Sequence, residues 1–274
     1  WPEHEDYYAL MEQLVSLGRR AFFKEKQNDP RGAGARLFDL AKLALFRIQG
    51  EELVVSRDLK GISADGAQDE RTVGLSSLRR YAFLDPALGA VSSDEEAESC
   101  DPAQDRSDYA AIAVAGAAPD GSVFILDVWL TRATPSMQVA ALFDLHERWG
   151  LSVAGVETNA FQKLLLPFME EERSRRREAG RRFDLALEAV VHHGSKRERI
   201  AALEPAAANG WIAFHEMLPE RFWQQLEGFP VAAHDDGPDV VEAAFSLARR
   251  HASGVAQSLG RVSERVGRKV VEGF

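Results

Sequence analysis

The sequence predicts an α/β fold, a mixed β-sheet flanked by helices, and three observations predict it. Tyr81–Ala87, Ser107–Gly116 and Ser122–Leu130 are β-rich runs separated by turn chemistry, so they read as consecutive strands of one sheet. The Asp120-Gly121 step between the last two is a strong hairpin signal. A helical pattern over Pro135–Trp149 then leads into the apolar run Leu151–Asn159, which is the order of a crossover helix feeding a parallel strand.

Each element has a local cause. In the first 27 residues, Tyr8, Met11, Leu14, Val15, Leu17, Ala21 and Phe22 recur at near-helical spacing, which predicts an amphipathic helix broken near Gly18. The residues before Pro30 avoid the α region and end it. Leu37–Ile48 reads as a second apolar helix, and Leu53-Val54-Val55 as a short strand. Residues 1–80 are thus expected to form a helical connector on a main domain over 81–250, with 251–274 as a basic amphipathic tail. Between Asp85 and Asp108 lies an acidic loop, read either as a solvated surface or as a gate over a site.

Further on, Thr134 is placed as N-cap and Pro135 as the first helical residue, with Gly150 ending the helix. Its inner face is expected to carry Met137, Ala140, Ala141, Leu145 and Trp149. A charged helix follows over 160–177, with Phe161, Leu164, Leu165 and Phe168 as its apolar face. Leu185–Val191 is a strand, Ser195 caps a helix over Lys196–Leu203, Asn209–Phe214 is a strand, and Pro219–Phe229 is a helix. His192 and His193 are adjacent, and adjacent strand side chains point to opposite faces, so they do not read as a ligand pair.

Composition sets limits on function. At 274 residues the chain can bury a sizeable core. A single cysteine excludes an intramolecular disulfide or a multi-cysteine zinc site and fits a reducing compartment. No apolar run approaches the roughly 20 residues that span a bilayer. The net charge of −10 argues against a chain-wide cationic surface but leaves room for a local basic patch. The densest such patch is Arg173, Arg175, Arg176, Arg177, Arg181 and Arg182. Two readings of it stand: a helix end paired with Glu170, Glu171 and Glu172, or a phosphate-contacting surface.

The carboxylates carry the chemistry. Two strands end on one, Asp85 and Glu157. An ionised carboxylate at the end of a buried strand is costly unless paired or bound to a metal. Asp235, Asp236 and Asp239 then crowd the start of an apolar helix. One would serve as a cap, while the spare charges repel unless a cation lies between them. Asp236 and Asp239 are three apart and share a side of the first turn. Carboxylates from two strand ends and a helix start are the donor set that two-metal phosphodiester hydrolysis requires.

Phe83-Leu84-Asp85-Pro86-Ala87, Ser107-Asp108-Tyr109, Val156-Glu157-Thr158-Asn159 and His234-Asp235-Asp236-Gly237-Pro238-Asp239 resemble the nuclease domain of tailed-bacteriophage terminase large subunits. So do Lys196–Ile200, Asn209–Phe214 and Gln225–Pro230, and Trp1-Pro2-Glu3 with Phe23–Pro30 resembles the connector that follows the motor domain. The resemblance implies a ribonuclease H-like fold and a metal-dependent endonuclease that cuts concatemeric double-stranded viral DNA during genome packaging. It implies Asp85, Glu157 and Asp236 as catalytic metal ligands, Asp239 as an auxiliary ligand and Asp108 as a nearby acidic support. Asp235 competes with Asp236 for the third role. The implied cofactor is a pair of Mg²⁺ or Mn²⁺ ions. Arg175, Arg176, Arg177 and Lys196 are the expected DNA contacts. The implied partners are double-stranded DNA, a portal protein and a small terminase subunit, in the host cytoplasm and with no membrane. The family's ATPase motor is missing from this chain. Other readings remain open: a non-catalytic DNA-binding or portal-docking module, or a ribonuclease H-like enzyme acting on RNA–DNA hybrids or junctions.

Overall fold

The computed structural model describes residues 6–17, 36–56, 71–87, 109–157, 165–181, 185–192 and 194–252. Among them, nine strands form one mixed sheet in the order β3-β2-β1-β9-β6-β5-β4-β7-β8. The middle of this sheet is the meander expected from the sequence. β4 (Arg79–Asp85) pairs antiparallel with β5 (Ala110–Ala117), which pairs antiparallel with β6 (Val123–Thr131). The turn between β5 and β6 uses Gly121 at φ +87°, a left-handed conformation that favours glycine.

α2 (Pro135–Trp149) crosses over to β7 (Val153–Glu157), which lies parallel beside β4, with β8 (Ala186–Val190) parallel beyond it. Thr134 caps α2 by accepting from the Met137 amide, and Gly150 ends it at φ +61°. The buried face of α2 is Gln138, Val139, Leu142, Phe143 and Leu145, while Met137 is exposed. Of the expected inner face, Leu145 is buried and Ala141 and Trp149 pack against the same layer, but Met137 is not on it, and Gln138, Val139, Leu142 and Phe143 take the centre. Phe143 and Leu142 are bulkier than the alanines at 140 and 141 and bury more area per turn.

The stretch read as a helix over Leu37–Ile48 is also corrected. It is a single 3₁₀ turn at Leu40–Lys42 followed by β1 (Ala44–Gln49). β1 turns at Gly50 into β2 (Glu52–Ser56), which pairs with β3 (Arg71–Gly74). It also lies parallel to β9 (Ile212–His215). Short apolar runs satisfy both helical and strand periods, and here the open edge of β9 decides. The sheet therefore continues across residue 80, where a domain boundary was expected.

Alternation along the strands divides the core into two layers. Tyr81 and Phe83 face one side with Ala111, Ala113 and Ala115, under α4 (Lys196–Ala201), α5 (Leu203–Ala208), α6 (Glu220–Gly228) and α7 (residues 236–252). Ala82, Leu84, Ile112 and Val114 face the other, under α2 and α3 (Leu166–Glu178). The N-terminal α1 (Tyr7–Leu17) starts with Asp6 accepting from the Ala9 amide. Every residue from 236 to 245 is buried, so α7 is the central helix of its layer. Alanines on β5 and Gly155 on β7 let it approach. A Cβ on Gly155 would lie 2.7 Å from Phe83 Cδ2 and 3.2 Å from Leu247 Cδ2. The segments 158–164 and 253–274, including Phe161, Leu164 and nearly all of the expected tail, lie outside the described residues.

Candidate active site

The period of two along each strand brings the first two carboxylates to one place. Asp85 follows Tyr81 and Phe83 on the α7 side of β4. Glu157 follows Val153 and Gly155 on the same side of β7. β4 and β7 run parallel with Leu84 opposite Val156, so Asp85 and Glu157 end neighbouring strands at the same edge. The N-terminus of α7 arrives at that edge with Asp235, Asp236 and Asp239. The Asp239 amide donates to the Asp235 carbonyl at 3.0 Å, which closes the first helical turn. Gln225 Oε1 accepts from the Gly237 amide at 2.7 Å and satisfies a second N–H of that turn. Capping thus leaves the Asp236 and Asp239 carboxylates to other partners, although both residues are buried.

Two cations from α4 reach them. Ser195 and Glu198 form a capping box that starts α4, and Lys196 and Arg199 project three apart from the same face. Lys196 Nζ donates to Asp235 Oδ1 and Asp236 Oδ1, both at 2.8 Å. Arg199 Nη2 donates to both oxygens of Asp239, at 2.8 and 2.9 Å. The Tyr109 amide donates to Asp236 Oδ2 at 3.4 Å, and His234 Nδ1 lies 4.0 Å from the same oxygen. Glu242, one turn further along α7, bonds Ser246 and lies 3.9 Å from Arg199 Nε.

The electrostatics show the crowding. Loss of hydration pushes the Asp85 carboxyl up to about 7, and the charges of Asp239, Glu157 and Asp236 add to it against the pull of Lys196. Asp239 is raised by burial, opposed by Arg199. Glu242 is raised by burial too, with Asp239 adding. The Lys196 ammonium is held above its usual range by Asp235 and Asp236 in spite of burial.

A hard divalent cation takes oxygen donors, and this cluster supplies them from three elements with more negative charge than Lys196 and Arg199 offset. In the chemistry of their donors the residues fit such an ion. As they stand, among the described residues no three His, Cys, Asp or Glu side chains are near enough together to hold one. Lys196 and Arg199 pair Asp235, Asp236 and Asp239 in this arrangement.

The residues expected from the sequence divide into three groups. Asp85, Glu157, Asp236 and Asp239 come together. Asp235 and Asp236 share Lys196, and the buried Asp236 also receives the Tyr109 amide. Lys196, expected as a DNA contact, lies inside the cluster. Asp108 lies outside the described residues.

Arg175, Arg176 and Arg177 end α3, in the opposite layer of the sheet. Arg176 is only 4% exposed, bonds Glu172, Asp144 and Glu147, and lies over the Phe143 ring. Its expected phosphate contact is corrected, because three carboxylates enclose its guanidinium. Arg175 is exposed and bonds Glu172, and Arg177 is exposed. Two residues of the site were not singled out from the sequence, Arg199 and Gln225. The helical spacing from Lys196 was the one available signal for Arg199.

No protein-family model matches the chain, and no curated protein matches it. Among solved structures, it is similar to the large terminase nuclease of thermophilic phage G20c, at 15% identity over 77% of this chain and 98% of that one, with a TM-score of 0.44. The G20c nuclease is also known with cobalt, magnesium or zinc bound. The large terminase nuclease domain of Thermus phage P74-26 is similar at 17% identity over 77% of this chain and 94% of that one, with a TM-score of 0.44. The human cytomegalovirus terminase nuclease domain is similar at 12% identity over 64% of this chain and 86% of that one, with a TM-score of 0.42.

Proposed function

We propose that this chain is a divalent-metal-dependent endonuclease that hydrolyses phosphodiester bonds of double-stranded DNA, in the cutting of concatemeric viral genomes during packaging. The observation that carries it is the convergence of Asp85, Glu157 and Asp236 at one sheet edge, with Asp85 pushed up to about 7 by lost hydration and by neighbouring carboxylates. Asp85, Glu157 and Asp236 would hold Mg²⁺ or Mn²⁺, two ions in all, with Asp239 auxiliary and Asp108 in support. When bound, such ions lower the pKa of a water and stabilise the leaving oxygen of an in-line displacement. The reaction joins a water oxygen to phosphorus and breaks one ester bond, leaving a phosphomonoester and a hydroxyl.

The chain's own groups prepare this. Asp85 and Glu157 stand on rigid strand ends, which fixes their separation better than loops would. Arg199 grips Asp239 through both oxygens and so aligns the first turn of α7. Lys196 neutralises Asp235 and Asp236 and would be a phosphate contact beside them when DNA is bound. Arg175 and Arg177 are further candidate phosphate contacts. The portal protein and small terminase subunit are proposed partners, in the host cytoplasm. Among the described residues no helix is long and apolar enough to cross a membrane.

One observation favours a second reading, a DNA-binding or portal-docking module without catalysis: Lys196 and Arg199 already pair Asp235, Asp236 and Asp239. Plasmid cleavage with Mg²⁺ or Mn²⁺ decides between them. The nuclease reading expects cleavage that a chelator stops, and the binding module expects none. Parallel assays on plain duplex, RNA–DNA hybrid and a four-way junction identify the substrate class.

A further inference from the structure

α1, α2 and α4 are each capped by the residue before their first turn. Asp6 accepts from the Ala9 amide, Thr134 from the Met137 amide and Ser195 from the Glu198 amide. At α7 the residue in that position is Asp235, and an aspartate there ordinarily accepts from the second or third amide of the helix. Its carboxylate bonds Lys196 instead. The second amide, that of Gly237, donates at 2.7 Å to Oε1 of Gln225 on α6. The third position is Pro238, which has no N–H to donate. Gln225 is only 6% exposed. The turn is seated closely on α6 as well. A Cβ on Gly237 would lie 3.0 Å from Gln225 Oε1, 3.1 Å from Phe222 Cδ2 and 3.4 Å from Leu130 Cδ2.

We propose that Gln225 is a positioning residue of the nuclease site: it caps α7 in place of Asp235 and so holds the Asp235 and Asp236 carboxylates at the sheet edge. A buried amide needs an acceptor, and leaving it without one costs more than an ordinary hydrogen bond contributes. Here the acceptor comes from a second helix, and Pro238 offers no further donor to compete for a cap. The Asp235 carboxylate is thereby left to Lys196, which also bonds Asp236 at 2.8 Å. The Gly237 nitrogen is joined to the carbonyl carbon of Asp236, so a hydrogen bond that fixes this amide fixes the Asp236 backbone too. The Tyr109 amide holds the Asp236 side chain from the strand side. Without the Gln225 acceptor, Asp235 is the residue placed to turn onto Gly237, which draws it from Lys196 and shifts Asp236 with it. Gln225 thus acts through Gly237 and the two aspartates.

This inference rests on the nuclease reading, and a double-mutant cycle separates the two. Gln225→Met keeps the length of the side chain and removes the acceptor, whereas Gln225→Glu keeps an acceptor at the same reach. Melting temperatures of the full chain are measured in a chelator for wild type, Gln225→Met, Asp235→Ala and the double variant. In the Gln225→Met background Asp235 becomes the cap, so adding Asp235→Ala should cost about 3 °C more than it does in wild type. Additive shifts overturn the proposal. So does a Gln225→Met chain that fails to fold, because Asp235 has then not taken over the cap. Mn²⁺-dependent plasmid cleavage is followed alongside. Gln225→Met should lower kcat by about tenfold with little change in KM for DNA, and Gln225→Glu should restore most of it. A wild-type kcat in Gln225→Met overturns the positioning role. A wild type that does not cleave, with a non-additive cycle, supports the exchange of caps and overturns the nuclease reading alone.

Discussion

At the scale of residues, charge is used in two opposite ways. Arg176 is a structural cation, buried among Glu172, Asp144 and Glu147. Arg176→Ala removes the buried guanidinium and its packing over Phe143, while Glu172 keeps Arg175 and Glu147 keeps Arg181, and should cost about 2 kcal/mol in denaturant unfolding. The salt slope of DNA binding should not move. The same network responds to acid. Bonds from Arg175 and Arg176 hold the Glu172 carboxyl down at about 2, against 4.5 in its ordinary state. A depressed carboxyl contributes stability above the ordinary value, and that contribution is lost as pH falls from about 4.5 towards 2. Thermal unfolding from pH 7 to pH 3 should therefore show a gap between wild type and Glu172→Gln that narrows with acid. In the carboxylate cluster the sign is reversed. Asp85→Asn removes a charge repelled by Asp239, Glu157 and Asp236, so the metal-free variant should melt no lower than wild type.

At the scale of elements, the approach of α7 to the sheet sets the site. Gly155→Ala places a methyl 2.7 Å from the Phe83 ring, and overpacking of this kind costs about 1–3 kcal/mol. The measured loss should come with weaker cleavage, since α7 carries Asp236. A Gly155→Ala protein of wild-type stability would contradict this packing. Much of the element level was legible in the sequence. The Asp-Gly turn, the Thr134-Pro135 start and the Gly150 stop act locally, so a short window contains their cause. That two strands end on carboxylates, Asp85 and Glu157, was legible too. The strand at Ala44–Gln49 was read as a helix because its reason is not local. It is the open edge of β9, more than 160 residues away. The ion pairs of Lys196 were not legible for a similar cause: its partners, Asp235 and Asp236, are some 40 residues on.

At the scale of the whole molecule, one sheet carries the site at a single edge, with helices on both faces. The first 80 residues contribute strands to that sheet, so removing them would open the edge of β9 as well as deleting a connector. At the other end α7 runs to residue 252, and His251 bonds Glu188 and stacks on Tyr81. Deleting 253–274 should leave metal-dependent cleavage intact, whereas deleting 251–274 removes those contacts and should lower the melting temperature. The most direct measurement is cleavage of supercoiled plasmid by the purified chain in Mg²⁺ or Mn²⁺, with Asp85→Asn and Glu157→Gln beside it. The wild type should nick and linearise the plasmid, lose that activity in a chelator, and lose it in both variants while they remain folded. Full activity in the two variants, or none in the wild type with either metal, would contradict the assignment of this carboxylate edge as a nuclease site.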